Sequence, residues 1–219
     1  MFPRPTQEKA RRRRRGSKGL NTLGKYTYLM VNYYTYLGVY GDDLHKRVGL
    51  GEFERQFKRP HQTVKAHLQG FVDARILTLE KRGRFSAYSL NLKNPLLREY
   101  LTMCEKERLL SFLGRRPEFK RLYETLSPHF RASRLLVFGS AATTEDYRDI
   151  DLLVISKDRA IRTAIDHFAK TYQIDIHVVQ TDEAHLTPSF IAELRKSHVI
   201  LNQHDYFIEV MYAHEPGLV

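Results

Sequence analysis

Cysteine is nearly missing from this chain. Cys104 is the only one among 219 residues, so an internal disulfide is excluded and a reducing cytoplasm is the expected setting. Cys104 stands between Met103 and Glu105 with no accompanying histidine signature, the pattern of a packing residue rather than a nucleophile. Uninterrupted apolar runs are missing as well. None reaches the roughly 18 to 20 residues that a membrane-spanning helix needs, so no membrane partner is expected. The arginines at 11–15 precede a Tyr-rich segment, but Asn32 and the lack of a small-residue cleavage site argue against an export signal. No Cys/His metal spacing, phosphate-binding Walker loop, Ser-His-Asp arrangement or internal repeat is present.

Acidic residues are scarce in one half only. Residues 1–116 hold 25 Lys and Arg against 10 Asp and Glu, a balance of +15, whereas 117–219 hold 11 against 15, a balance of −4. A basic block of this kind favours polyanions through counterion release, which is salt-sensitive and independent of sequence. The asymmetry predicts a nucleic-acid partner for the first half. At 219 residues with 42% hydrophobic content, the chain has room for two small cores.

Residues 1–24 are poor in apolar side chains and rich in Arg, Pro and Gly, which predicts a flexible basic arm. From Lys25, Tyr26, Leu29, Met30, Tyr33 and Leu37 recur at helical spacing until Gly38 and Gly41, which predicts a first helix. Leu50 to Phe57 predicts a short second helix, broken at Lys58-Arg59-Pro60. A third runs over 61–72 with Val64, Leu68 and Phe71 inward. Two alternating strands follow, 76–79 and 85–90, around the basic tip Lys81-Arg82-Gly83-Arg84.

Helix, helix, third helix and basic hairpin resemble a winged helix-turn-helix over 25–92. That resemblance implies binding to double-stranded DNA. The exposed face of the third helix, with His61, Gln62, Thr63, Lys65 and Gln69, would enter the major groove, Gln62 and Gln69 toward base edges and Lys65, Lys81, Arg82 and Arg84 meeting phosphates. Winged helices also dock proteins, the alternative use of the same module. Residues 93–116 read as a connecting helix whose apolar stripe could pack on the wing or on a second copy, so a homodimer is open.

The region 117–219 reads as an α/β domain. Phe119, Leu122, Tyr123 and Leu126 predict a helix before a strand at Leu135-Leu136-Val137-Phe138, which stops at Gly139-Ser140. A second strand carries Asp149 and Asp151 at its start. Side chains two apart in a strand share a face, so these carboxylates lie side by side and repel unless a cation sits between them. A helix over 159–172 and a strand over 173–179 come next, with Asp175 interrupting the strand's apolar side as a third carboxylate. His177 shares the face of Asp175, where a packed or hydrogen-bonded role is the commoner one. A helix around 190–194, a strand over 198–201 and an apolar segment over 206–211 close the domain.

Gly139-Ser140, eight residues, Asp149-Ile150-Asp151-Leu152 and then Asp175 on a later strand are similar to the nucleotidyltransferase superfamily that includes DNA polymerase beta. The closest likeness is to its minimal members, over about 117–212. The resemblance implies an α+β protein whose C-terminal domain holds a mixed sheet. It also implies transfer of a nucleoside monophosphate from an NTP, such as ATP, to an acceptor. Gly139 and Ser140 would hold the triphosphate; Asp149 and Asp151 would bind two Mg²⁺ ions; Asp175 would complete the site and help activate the acceptor hydroxyl. Many minimal members carry an Arg soon after the Gly-Ser pair, where this chain has Ala141-Ala142-Thr143-Thr144, with Arg148 as the nearest substitute. Some members are antitoxins that modify a toxin, which makes a protein acceptor the second possibility. A DNA-binding regulator that only senses nucleotide is the third.

Overall fold

The computed structural model describes residues 33–83, 85–181, 186–213 and 215. The basic arm over 1–24 and most of the predicted first helix lie outside them, as do Arg84 and the side chain of Arg82. The chain is a mixed α and β protein, with two sheets among the described residues. Among the described residues, no helix is long and apolar enough to cross a membrane.

The first described element is a 3-10 helix, Tyr34–Tyr40. It runs through Gly38 and is capped by Gly41, the second of the two glycines at which the periodicity predicted the stop. Tyr36, Leu37, Val39 and Tyr40 are all buried, and tertiary packing of this apolar run outweighs the glycine. β1 (Val48–Gly49) leads into α1 (Leu50–Phe57), and Lys58 in the left-handed region at φ 48° turns the chain toward α2 (His61–Asp73). β2 (Leu77–Arg82) and β3 (Phe85–Leu90) form the hairpin. The sheet has a third strand that the sequence did not reveal: β1 pairs antiparallel with β3, giving the order β1-β3-β2. Leu37, Phe53, Val64, Leu68 and Phe71 are fully buried beneath it. Each such side chain contributes about 2 kcal/mol through apolar burial.

α3 (Leu97–Arg115) joins this unit to the second. It starts later than the predicted position 93 because Asn94 first closes a turn, its Oδ1 accepting from Leu96 N at 2.9 Å and its Nδ2 donating to Arg75 O. Leu97, Leu101 and Cys104 pack toward the first unit, and Leu109 and Phe112 toward the second.

Pro117 at the first helical position opens α4 (Pro117–Leu126). β4 (Ser133–Phe138), the single turn α5 (Ser140–Thr143), β5 (Ile150–Ser156), α6 (Ala160–Tyr172) and β6 (Ile176–Thr181) follow. α7 (Pro188–Lys196), β7 (His198–Ile200) and α8 (His204–Tyr212) complete the described chain. The strand order is β6-β5-β4-β7, with β5 and β6 parallel and the other pairs antiparallel. Alternation divides the strands between two cores. Leu135, Val137, Ile150, Leu152 and Val154 meet α4 and α6 on one face. Leu136, Phe138, Leu153, Ile155 and Ile200 on the other join α3, α7, α8 and the first unit in one continuous cluster. That second face carries the carboxylates.

Candidate active site

β4 and β5 form a hairpin, and Gly139 begins the connection between them. Its φ of 71° and ψ of −153° belong to a backbone region that essentially only glycine enters. A β-carbon there would sit 2.4 Å from Asp151 Oδ2, so the missing side chain also lets the carboxylate lie against the turn. Ser197 Oγ donates to Gly139 O at 2.5 Å and ties the turn to the end of α7. Ser140, the first residue of α5, is exposed.

The register of β5 on β6 assembles the acidic edge. Ile150 pairs with Ile176 and Asp151 with His177, and Ile150 N donates to Asp175 O at 2.9 Å. Continued one step back, the parallel register sets Asp149 opposite Asp175. Asp175 itself stands one residue before β6, not within it as the sequence predicted, because the left-handed Gln173 that ends α6 delays the strand. His177 pairs with Asp151, Nδ1 to Oδ1 3.1 Å, rather than with Asp175. Asp149 and Asp175 are exposed, whereas Asp151 is 24% exposed and held from two sides. Among the described residues, no three His, Cys, Asp or Glu side chains close into a metal-binding group. The edge is an open row of acids.

The loop between Gly139 and Asp149 is braced by Arg116, which the sequence reading passed over. Its guanidinium donates to Ala141 O and Thr144 O. It is 9% exposed and lies over the rings of Phe112, Phe119 and Tyr147, with centroids 4.9, 5.6 and 5.7 Å away. A buried cation needs partners of this kind. The one hint in the sequence was an arginine at a helix junction with phenylalanines four before and three after it. Burial, reinforced by Glu118, pushes the Tyr147 hydroxyl up to about 12, so it stays protonated and donates to Glu118 Oε1 at 3.2 Å.

Beyond β4, at the same end of the sheet, the second face carries a buried polar cluster. His198, opposite Phe138, donates from Nδ1 to Leu194 O at 2.6 Å and turns Nε2 toward Glu105 Oε2, 3.2 Å away. Arg108 Nη1 lies 3.2 Å from the same carboxylate oxygen. Burial alone would raise the Glu105 carboxyl, but Arg108 and His198 pull it down to about 2. Burial lowers His204 nearby to about 4, leaving it neutral.

The described DNA-facing candidates lie on α2 and β2. Gln62, Lys65 and Gln69 are exposed on α2, Thr63 is half-buried, and Val64, Leu68 and Phe71 are buried behind them. Gln69 Nε2 donates to Asp73 Oδ1 at 2.8 Å. Lys81 is exposed on β2. No family model, curated protein or solved structure matches the chain.

Proposed function

We propose that the chain is a divalent-metal-dependent nucleotidyltransferase in which a winged helix-turn-helix unit binds double-stranded DNA. The observation that carries the reading is the parallel register of β5 and β6. It lines Asp149 and Asp151 up with Asp175 and His177 directly beside the Gly139 turn. The three carboxylates suit Mg²⁺, which binds through one or two carboxylates and takes its remaining oxygens from substrate phosphates and water.

Asp149 and Asp151 would hold the two ions and Asp175 would complete the set. When bound, the ions supply charge neutralisation at the phosphoryl group under attack. The chain's own residues do the positioning. The Gly139-Ser140 turn would take the triphosphate, Arg116 fixes the loop that follows, and His177 orients Asp151. In the first unit, α2 offers a polar exposed face and the hairpin carries an exposed Lys81, in keeping with helix-in-groove binding. The lack of a basic side chain on α5 favours the second reading, a DNA-binding regulator that senses nucleotide without transferring it.

Because the acids do not close around an ion unaided, the metal should arrive with the nucleotide. Titrating Mn²⁺ by electron paramagnetic resonance should show weak binding to the protein alone. Binding should be at least tenfold tighter with a non-hydrolysable ATP analogue, and the gain should vanish in Asp151→Asn. Equal Mn²⁺ affinity with and without nucleotide would contradict the assignment.

A further inference from the structure

α3 has neighbours on three sides. Tyr34 of the 3-10 helix stacks on Tyr100 with ring centres 5.9 Å apart, and Glu107 accepts from Thr35 N at 2.9 Å. α8 holds a second side, where Thr102 Oγ1 donates to Asp205 Oδ1 at 3.2 Å and Arg98 pairs with Glu209 at 3.0 Å. On a third, Glu105 meets His198 of β7. The fourth side faces solvent, and its centre is apolar. Leu96 at the N-cap, Met103 and Leu110 are 53%, 43% and 59% exposed. They are three of the five large hydrophobic side chains that stand exposed among the described residues, so the exposure is concentrated and not scattered.

Seven residues, two turns of helix, separate each of the three from the next, which sets them in one stripe. Leu96 keeps this register because its carbonyl accepts from Tyr100 N at 3.1 Å. A heptad stripe on a helix of 19 residues, about 28 Å long, has the form of a seam for a second helix. The charges beside it indicate which helix. Glu99 and Lys106, both exposed, follow Leu96 and Met103 by three residues and line one flank of the stripe. They stand about 10 Å apart along the axis, beyond the spacing at which side chains of one helix pair.

We propose that a second copy of this chain covers the stripe, its α3 antiparallel to the first and related to it by a twofold axis at Met103. Leu96 then meets Leu110 of the partner subunit, and Met103 meets Met103 of the partner subunit. An axis of this kind brings equal flanks together. Glu99 therefore lies beside Lys106 of the partner subunit, and the opposite-charge pair occurs twice. A parallel arrangement would instead bring Lys106 and Glu107 together, and Glu107 is already committed to Thr35 N. Both copies of α2 would be related by the same axis, so the DNA bound on the reading above would be a palindrome. That consequence rests on DNA binding, whereas the pairing itself rests on neither DNA binding nor nucleotidyl transfer.

The test is sedimentation equilibrium of the full chain over a concentration series. A dimer in equilibrium with monomer is expected. Met103→Glu should weaken it at least a hundredfold, because each substitution enters the interface twice, with the circular dichroism of the parent retained. Glu99→Lys should weaken it at least fivefold. Glu99→Lys/Lys106→Glu restores opposite charges in the antiparallel pair alone and should return the dissociation constant to within about twofold of the parent's. A parent that stays monomeric at tens of micromolar would overturn the proposal and leave the stripe to another segment of this chain or to a different protein. So would a Met103→Glu protein that dimerises as the parent does, or a doubly substituted protein that pairs no better than Glu99→Lys.

Discussion

Replacing Gly139 by alanine is expected to cost about 2–4 kcal/mol of stability and at least a hundredfold in nucleotidyl transfer. Two effects add. The backbone at φ 71° and ψ −153° is worth about 1–3 kcal/mol of strain for any residue with a side chain. The new β-carbon must also displace Asp151, whose Oδ2 is 2.4 Å from where that carbon would stand. Asp151 cannot yield freely because His177 holds its other oxygen. A displacement of about 1 Å at a reacting centre typically costs about two orders of magnitude in rate. Gly83 is the control. It too has positive φ, 59°, but nothing stands within 4 Å of its missing β-carbon, so Gly83→Ala should lose about 1 kcal/mol and no activity. Urea denaturation and steady-state rates on both variants check this. A Gly139→Ala protein as stable and active as Gly83→Ala would show that the turn does not position the acid.

The second large effect is expected at Arg116. Truncation to alanine should cost about 3 kcal/mol, since it strands two loop carbonyls and empties a cage of three aromatic rings. Lysine should recover only part, because an ammonium cannot reproduce the planar fork that reaches Ala141 O and Thr144 O together. Amide exchange separates a local from a global loss. In Arg116→Lys, the amides over 141–147 should exchange at least tenfold faster, with β4 unchanged. Uniform exchange, or a stability loss below about 0.5 kcal/mol in Arg116→Ala, would remove Arg116 from the account.

Much of this architecture could be read from the residues. Val64, Leu68 and Phe71 announced α2 and its inward face, and Leu135 to Phe138 ending at Gly139 announced β4, because period and turn chemistry are local signals. Asp149 and Asp151 fell on the acidic edge for the same reason. What the residues did not disclose is non-local. β1 is two residues long and exists only through pairing with β3. Tyr34–Tyr40 continues past Gly38 because the side chains around it are buried from outside the segment. Glu105 is buried on α3 beside Arg108, whose charge balances it, a pairing that the spacing of apolar residues does not signal. Arg116 bonds backbone carbonyls, which carry no residue identity. His177 was placed on the correct face, yet its partner proved to be Asp151, a choice set by strand register.

The central claim is that the edge formed by Asp149, Asp151 and Asp175 transfers nucleotidyl groups. It is tested most directly by incubating the protein with α-labelled NTPs and Mg²⁺, offering nucleic acid and cell extract as acceptors, beside Asp149→Asn/Asp151→Asn. The account expects label to pass from NTP to one acceptor class, to require Mg²⁺, and to fall at least a thousandfold in the double variant while its fold, by circular dichroism, is unchanged. Label transfer that persists in the double variant, or no transfer although Mg²⁺-NTP binds, would contradict it, the latter in favour of a nucleotide-sensing DNA-binding protein.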